Sequence, residues 1–177
     1  YVVLVVFLAL IFLVPAFAAQ AERKIVVFDP VVVNEPAREA LVSELGISQD
    51  RIVYFGRSLG AAVALDLALS HPPPALILES PFLSVSAMAN RTLPGSGFLF
   101  KTSFDSLARI GRLRSRLLIL HGDADEVAPH AHGRRLYETA PEPKAFYTIA
   151  GAHHNDTYVL GGAEYWRAWR EFLGKIP

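Results

Sequence analysis

The chain of 177 residues is long enough for one domain with a substantial hydrophobic core. Its charges balance, with 17 Lys and Arg against 17 Asp and Glu, so there is no basic field to attract a nucleic acid. The absence of cysteine excludes disulfides, thiolate metal sites and a cysteine nucleophile. These properties indicate one globular domain with no nucleic-acid partner.

The first 20 residues are almost wholly apolar and carry no charge. Their length is close to what a helix needs to span the hydrocarbon core of a membrane. The segment is therefore predicted to be a single-pass membrane anchor. The alternative is a signal peptide, in which Pro15 ends the helix before the small-residue site at 16–18 and cleavage leaves a secreted or periplasmic protein. In both interpretations the remaining residues, 21–177, form the globular domain.

From residue 21 onward, short apolar runs alternate with longer amphipathic runs, which is typical of βαβ units in a mainly parallel sheet. Strands are predicted over residues 24–28, 51–55, 75–78, 117–120 and 145–149. Helices are predicted over residues 35–45, 59–69, 132–139 and 163–173. The segment 81–116 is too long for a simple connection and is predicted to be an insertion over the edge of the sheet. The predicted fold class is α/β, with helices flanking the sheet.

Residues 56–60, Gly-Arg-Ser-Leu-Gly, fit the pattern Gly-x-Ser-x-Gly. They lie between a predicted strand and a predicted helix, where the glycines permit a sharp turn that exposes the serine hydroxyl at the end of the strand. Ser58 is therefore predicted to be a nucleophile. The alternative interpretation is a serine that caps an ordinary strand–helix turn.

A serine hydroxyl is a weak nucleophile that needs a histidine base, and the histidine needs a carboxylate to orient it. In folds with this turn both partners follow the serine, the carboxylate first. The loop after strand 117–120 contains Asp123 and Asp125, and the loop after strand 145–149 contains His153 and His154. Both loops are predicted to lie at the carboxyl edge of the sheet, where ligands of open α/β sheets bind.

Four stretches of the chain resemble the α/β-hydrolase superfamily, and within it the membrane-anchored serine aminopeptidase-like and depalmitoylase-like proteins. They are the Gly-Arg-Ser-Leu-Gly turn, Glu-Ser-Pro-Phe at 79–82, the loop 121–129 and His-Asn-Asp-Thr at 154–157. The resemblance implies that Asp125, before Glu-Val-x-Pro, is the acid and that His154, before Asn-Asp, is the base. Asp123 is then expected to be a turn residue, and His153 a neighbour that shapes the pocket.

Two further residues near these motifs have structural interpretations. His121 ends a predicted strand and is expected to be a packed histidine whose ring is satisfied. Arg57, beside the serine, is expected either to be solvated or to meet an acidic group. No histidine pair has the close spacing on one helix that metal hydrolases use, so no metal site is predicted.

The sequence departs from the family before the serine. Hydrolysis needs an oxyanion hole, with one donor from the Leu59 N–H and a second from a loop after an earlier strand. In the family that loop carries His-Gly, but the first histidine here is His71 and the only glycines before the serine are Gly46 and Gly56. The fold is therefore expected to be abbreviated on its N-terminal side, and residues 22–36 are expected to supply no second donor.

The sequence predicts a serine hydrolase that cleaves an ester, thioester or amide of a small or acylated substrate through an acyl-enzyme, with no metal or organic cofactor. Phe82, Phe98 and Phe100 are predicted to line an apolar acyl pocket over the serine. The alternative for these side chains is to pack the long segment onto the sheet. The alternative function is a catalytically impaired, membrane-tethered binding protein with an incomplete oxyanion hole.

Overall fold

The computed structural model describes residues 2–6, 25–28, 38–44, 46–100 and 104–176. Within these ranges six strands form one sheet in the order β2-β1-β3-β4-β5-β6. The strands are β1 (Val2–Val6), β2 (Ile25–Phe28), β3 (Ile52–Arg57), β4 (Ala75–Glu79), β5 (Arg116–Gly122) and β6 (Lys144–Ile149). All neighbouring strands are parallel, so their carboxyl ends share one edge of the sheet.

Helices connect the strands and cover the sheet. In the described ranges they are α1 (Leu59–Ser70), α2 (Val85–Thr92), α3 (Ser106–Ile110), α4 (His130–Thr139) and α5 (Thr157–Leu173). Short helical turns span Ala40–Glu44, Gln49–Arg51 and Ser96–Phe100. Helix α5 begins earlier than predicted and is kinked at Gly162, whose φ of 47° is outside the helical region. The described part of the long segment 81–116 contains α2, α3 and the short turn Ser96–Phe100.

The central strands are buried on both faces, and alternate residues point to opposite sides of the sheet. On one side Ile52 and Tyr54 pack with α1, α3 and α4. On the other side Val53 and Phe55 pack with α5, where Trp169 lies 5.0 Å from the Phe55 ring. Because burial of each such side chain contributes about 1.5–3 kcal/mol, this double-sided core makes the ends of β3, β4 and β5 a firm base for a site.

The start of the apolar N-terminal segment differs from the prediction. Val2–Val6 form strand β1, which pairs with β2 on one side and β3 on the other, and not the start of a membrane helix. A run rich in valine favours a strand, and a central parallel strand is as apolar on both faces as a membrane helix, so hydropathy does not separate the two. Residues 7–20 of the predicted anchor lie outside the described residues. Among the described helices, none is long and apolar enough to cross a membrane.

Candidate active site

Ser58 lies at the sharp turn between β3 and α1. Its φ of 53° and ψ of −120° are costly for a residue with a Cβ atom, so its surroundings must hold it there. The Ser58 N–H donates to the carbonyl oxygen of Glu79 at 3.0 Å, and its own carbonyl accepts from the Ala61 N–H at 3.0 Å. These bonds tie the turn to β4 and to α1. The serine is thereby held in the strained conformation typical of a nucleophile elbow.

The three residues predicted to form a triad are brought together at the carboxyl edge of the sheet. His154 Nε2 lies 3.0 Å from Ser58 Oγ. On the other side of the ring, His154 Nδ1 lies 2.8 Å from Asp125 Oδ2 and 3.0 Å from Oδ1. Because an ionised carboxylate only accepts, Nδ1 carries the proton and Nε2 is left free to accept the serine proton.

Asp125 is buried within the loop between β5 and α4. Its Oδ1 accepts from the Val127 N–H at 3.0 Å and from the Ala128 N–H at 2.8 Å. Burial alone raises the pKa of this carboxyl, but hydrogen bonds from His121 and His154, the charge of His154 and the Ala128 amide outweigh it and lower the pKa well below its ordinary value. Asp125 therefore stays ionised and is able to stabilise a protonated His154.

His121 contacts the loop that carries Asp125 through a buried hydrogen bond. Its ring is fully buried at the end of β5, and Nε2 donates to the Ala128 carbonyl at 2.8 Å while lying 3.4 Å from Asp125 Oδ2. A Cβ atom on Gly133 would lie 2.3 Å from His121 Nδ1, so α4 packs directly on the ring. The histidine is packed, as predicted, but its ring is not fully satisfied, because Nδ1 is buried without a hydrogen-bond partner. Through Nε2 it also holds the backbone of the loop that carries Asp125.

Asp123 and His153 occupy other positions near the triad. The Asp123 carboxylate accepts from the Gly151 N–H at 2.6 Å and so joins the two loops as a turn residue. His153 is exposed, with Nδ1 3.1 Å from the Glu126 carboxylate. The same carboxylate accepts from the His154 N–H at 3.3 Å. Neither Asp123 nor His153 contacts Ser58.

Behind the triad, Glu79 is the centre of a buried polar cluster. It is 2% exposed, and its Oε1 lies 3.2 Å from Arg57 Nε. The Thr157 hydroxyl donates to the same oxygen, and the Tyr165 hydroxyl donates to Oε2 at 2.7 Å. Burial first, and then the Glu79 charge, raise the pKa of Tyr165 well above its ordinary value. No role was predicted for Glu79 from the sequence, because its pairing with Arg57 depends on the register of β3 against β4.

The phenylalanines predicted to bind substrate have different environments. Phe82 is buried in a small apolar cluster with Ala128, against which Leu59 packs. Phe98 lies on the turn Ser96–Phe100 and is 73% exposed. The side chain of Phe100 is outside the described residues. Phe82 therefore contributes to the apolar packing beside Leu59 of the elbow, whereas Phe98 faces solvent.

One oxyanion donor is available from the fold of the elbow. Leu59 is the first residue of α1, where the N–H has no partner within the helix and the helix dipole is positive. The end of β1 is close by in the sheet, since Val6 pairs with Gly56. Of residues 22–36, only Ile25–Phe28 are described, and they pair with β1, which separates them from β3. The remainder of that stretch lies outside the described residues.

Within the described ranges no group of three His, Asp or Glu side chains is arranged to hold a metal ion. A surface cleft of about 200 Å³ lies between β6 and α5, bordered by Arg116, Lys144 and Lys175 among others. Its lining includes none of Ser58, Asp125 and His154.

The chain is similar to several curated proteins, although no protein-family model matches it. It is 37% identical over 139 residues to an uncharacterized protein of Mycobacterium tuberculosis, covering 77% of this chain and 50% of the relative. It is 33% identical over 138 residues to alpha/beta hydrolase domain-containing protein aho-3 of Caenorhabditis elegans, covering 77% of this chain and 40% of the relative. The chain thus spans about half or less of the length of these relatives.

Solved structures with the same fold include the esterase domain of a Rhodothermus marinus protein, with a TM-score of 0.60 and 21% identity over 81% of this chain and 71% of that chain. A monoacylglycerol lipase of Paleococcus ferrophilus also has a TM-score of 0.60 and 21% identity, over 80% of this chain and 74% of that chain. At this identity the likeness concerns the fold alone. With its parallel sheet and its elbow between β3 and α1, the chain has the α/β-hydrolase fold.

Proposed function

We propose that the chain is a serine hydrolase with Ser58 as its nucleophile. The observation that carries the proposal is the continuous hydrogen-bonded line from Asp125 through His154 to Ser58, at 2.8 and 3.0 Å. A serine, a histidine and a carboxylate in this arrangement recur on unrelated folds that perform acyl transfer. The relatives named as alpha/beta hydrolase domain proteins, and the esterase and lipase structures of the same fold, support hydrolase activity in general.

In the proposed mechanism His154 Nε2 removes the proton of Ser58 as its Oγ attacks the carbonyl carbon of an ester, thioester or amide. The Leu59 N–H stabilises the resulting oxyanion at the amino end of α1. The intermediate collapses, the leaving group takes the proton from His154, and an acyl-Ser58 remains. A water deprotonated by His154 then attacks the acyl group, and the acid is released with Ser58 restored. Asp125 stabilises the protonated His154 in both halves of the reaction.

We further propose that the acyl group is apolar. The cluster around Phe82 places apolar side chains directly beside the elbow, and Val85 and Met88 of α2 pack against the same cluster. Apolar walls of this kind gain about 0.8 kcal/mol for each methylene group that they bury, which is about fourfold in kcat/KM.

A fluorophosphonate probe tests the nucleophile directly. We expect the probe to label the wild-type protein and the control variant Ser70→Ala. Ser70 is at the other end of α1 from Ser58, and its hydroxyl donates to the Asp66 carbonyl. Ser58→Ala is expected to abolish the labelling, and His154→Ala to slow it. A folded wild-type protein that the probe does not label would overturn the proposal and favour the binding-protein alternative.

A series of p-nitrophenyl esters from acetate to octanoate tests the acyl preference. We expect kcat/KM to rise with each added carbon until the apolar surface around Phe82 is covered. Phe82→Ala is expected to flatten the series, whereas Phe98→Ala, which alters an exposed side chain, serves as the matched control. A flat or falling series in an active protein would contradict the apolar acyl group and leave the triad assignment untouched.

A further inference from the structure

We propose that Arg57 is a positioning residue, and that with the buried Glu79 it holds His154 in register with Ser58. The inference rests on the proposed function and extends it, because it adds two residues that touch neither the substrate nor the reacting atoms. Arg57 directly precedes Ser58 in the chain, and its side chain contacts the loop that carries His154.

The contacts of Arg57 join the two halves of the site. Its Nη2 donates to the carbonyl oxygen of His154 and, at 2.9 Å, to Asn155 Oδ1. Its Nε lies 3.2 Å from Glu79 Oε1, and the side chain is only 19% exposed. Both hydrogen bonds come from Nη2, and the planar guanidinium holds Nε at a fixed position beside Glu79, where it forms an ion pair without hydrogen-bond geometry. The backbone of the base is thereby connected to the residue next to the nucleophile.

Glu79 anchors the arginine. It lies opposite Arg57 in the register of β3 and β4, and its backbone carbonyl accepts from the Ser58 N–H at 3.0 Å. Its carboxylate also accepts from Thr157 and Tyr165, which belong to α5. A buried carboxylate with a cationic partner and satisfied oxygens is rigid, and removal of the partner leaves an uncompensated charge. Glu79 therefore connects the elbow to the helix that follows His154.

The remaining restraints on His154 do not replace Arg57. Asp125 orients the ring, and Glu126 accepts from the backbone N–H at 3.3 Å through an exposed carboxylate. Without Arg57 the His154 carbonyl loses its side-chain donor, and the loop is free to shift relative to Ser58. A displacement of about 1 Å at a reacting pair costs about 10²-fold in rate. The loss is expected in kcat, with KM little changed, because no substrate contact is removed.

The test compares Arg57→Lys and the double variant Arg57→Ala/Glu79→Gln with the wild type. Lysine keeps the charge beside Glu79 but lacks the planar guanidinium, and the double variant removes the buried charge together with its partner, so both keep the fold testable. We expect kcat to fall by about 10- to 10²-fold in both. Arg109→Ala, which breaks the Arg109–Asp66 ion pair between α3 and α1, is the matched control.

A readout that needs no turnover separates this inference from the proposed function. The His154 Nδ1 proton, shared with Asp125, is expected to give a resolved downfield NMR resonance in the wild type and in Arg109→Ala. We expect the resonance to broaden or vanish in both Arg57 variants. An unlabelled wild type in the probe experiment would refute the proposed function alone. An unchanged resonance, or wild-type kcat in the folded variants, would overturn the inference about Arg57.

Discussion

Gly56 and Gly60 approach so closely across the elbow that a Cβ atom on Gly56 would lie 2.2 Å from the Gly60 carbonyl oxygen. Because the clash involves backbone, which cannot rotate away, Gly56→Ala is expected to cost at least about 1–3 kcal/mol of the free energy of unfolding. Urea denaturation measures the loss. Gly111→Ala is the control, since its Cβ would have no neighbour nearer than 3.8 Å. Equal urea midpoints for the two variants would contradict the tight elbow.

Asp125→Asn is expected to lower kcat by about 10⁴-fold, because an amide no longer selects the Nδ1-protonated form of His154 or stabilises its charged form. Steady-state kinetics on the best p-nitrophenyl ester measures the change. Asp123→Asn is the matched control, since the Asp123 carboxylate accepts only from the Gly151 N–H on the exposed side of the loop. A larger loss at Asp123 than at Asp125 would reverse the assignment of the acid.

His121→Asn is expected to destabilise the acid loop, because the shorter side chain leaves the Ala128 carbonyl without its donor. The expected loss in the free energy of unfolding is about 1–3 kcal/mol, the cost of an unsatisfied buried group. Thermal unfolding measures this loss, and kcat should fall with it as Asp125 moves. The exposed His153→Asn should change neither quantity, and a similar response of the two variants would argue against a supporting role for His121.

The stability of α4 is expected to depend on pH. Burial, with the nearby charge of His121, lowers the pKa of His130 and of His132. A lowered pKa in the folded state means that the unfolded chain binds protons more readily, so stability is full above the unfolded value of about 6.5 and declines as the pH falls below it. Urea midpoints at several pH values measure the decline. His132→Gln should make the urea midpoint less dependent on pH. An unchanged pH dependence in the double variant His130→Gln/His132→Gln would contradict the assignment of this effect to the two histidines.

The part of the fold that could be predicted from the sequence is the part with short, doubly buried strands. Strands β3 to β6 lie within two residues of their predicted bounds, because each is an apolar run of strand length followed by a turn and a helix. Parallel strands carry their following loops to one edge, which is why the loops with Asp125 and His154 meet Ser58. The order of the strands and their parallel type were sufficient to predict that Ser58, Asp125 and His154 lie at one edge of the sheet.

Two features could not be predicted because they depend on register. Strand β1 is recognised by its partners and not by its composition, since an apolar run suits a buried strand and a membrane helix equally. The pairing of Arg57 with Glu79 follows from the alignment of β3 against β4, and no local pattern specifies that alignment.

The position of β1 between β2 and β3 has a consequence for how the chain folds. Val6 pairs with Gly56, about 50 residues later, so β1 leaves the ribosome well before one of its two neighbours exists. Parallel pairing between strands that are far apart in sequence is slow, and an apolar segment that is still unpaired is prone to aggregate. Synthesis of this chain should therefore benefit from slow expression at low temperature or from a chaperone that holds the N-terminal segment until β3 has formed.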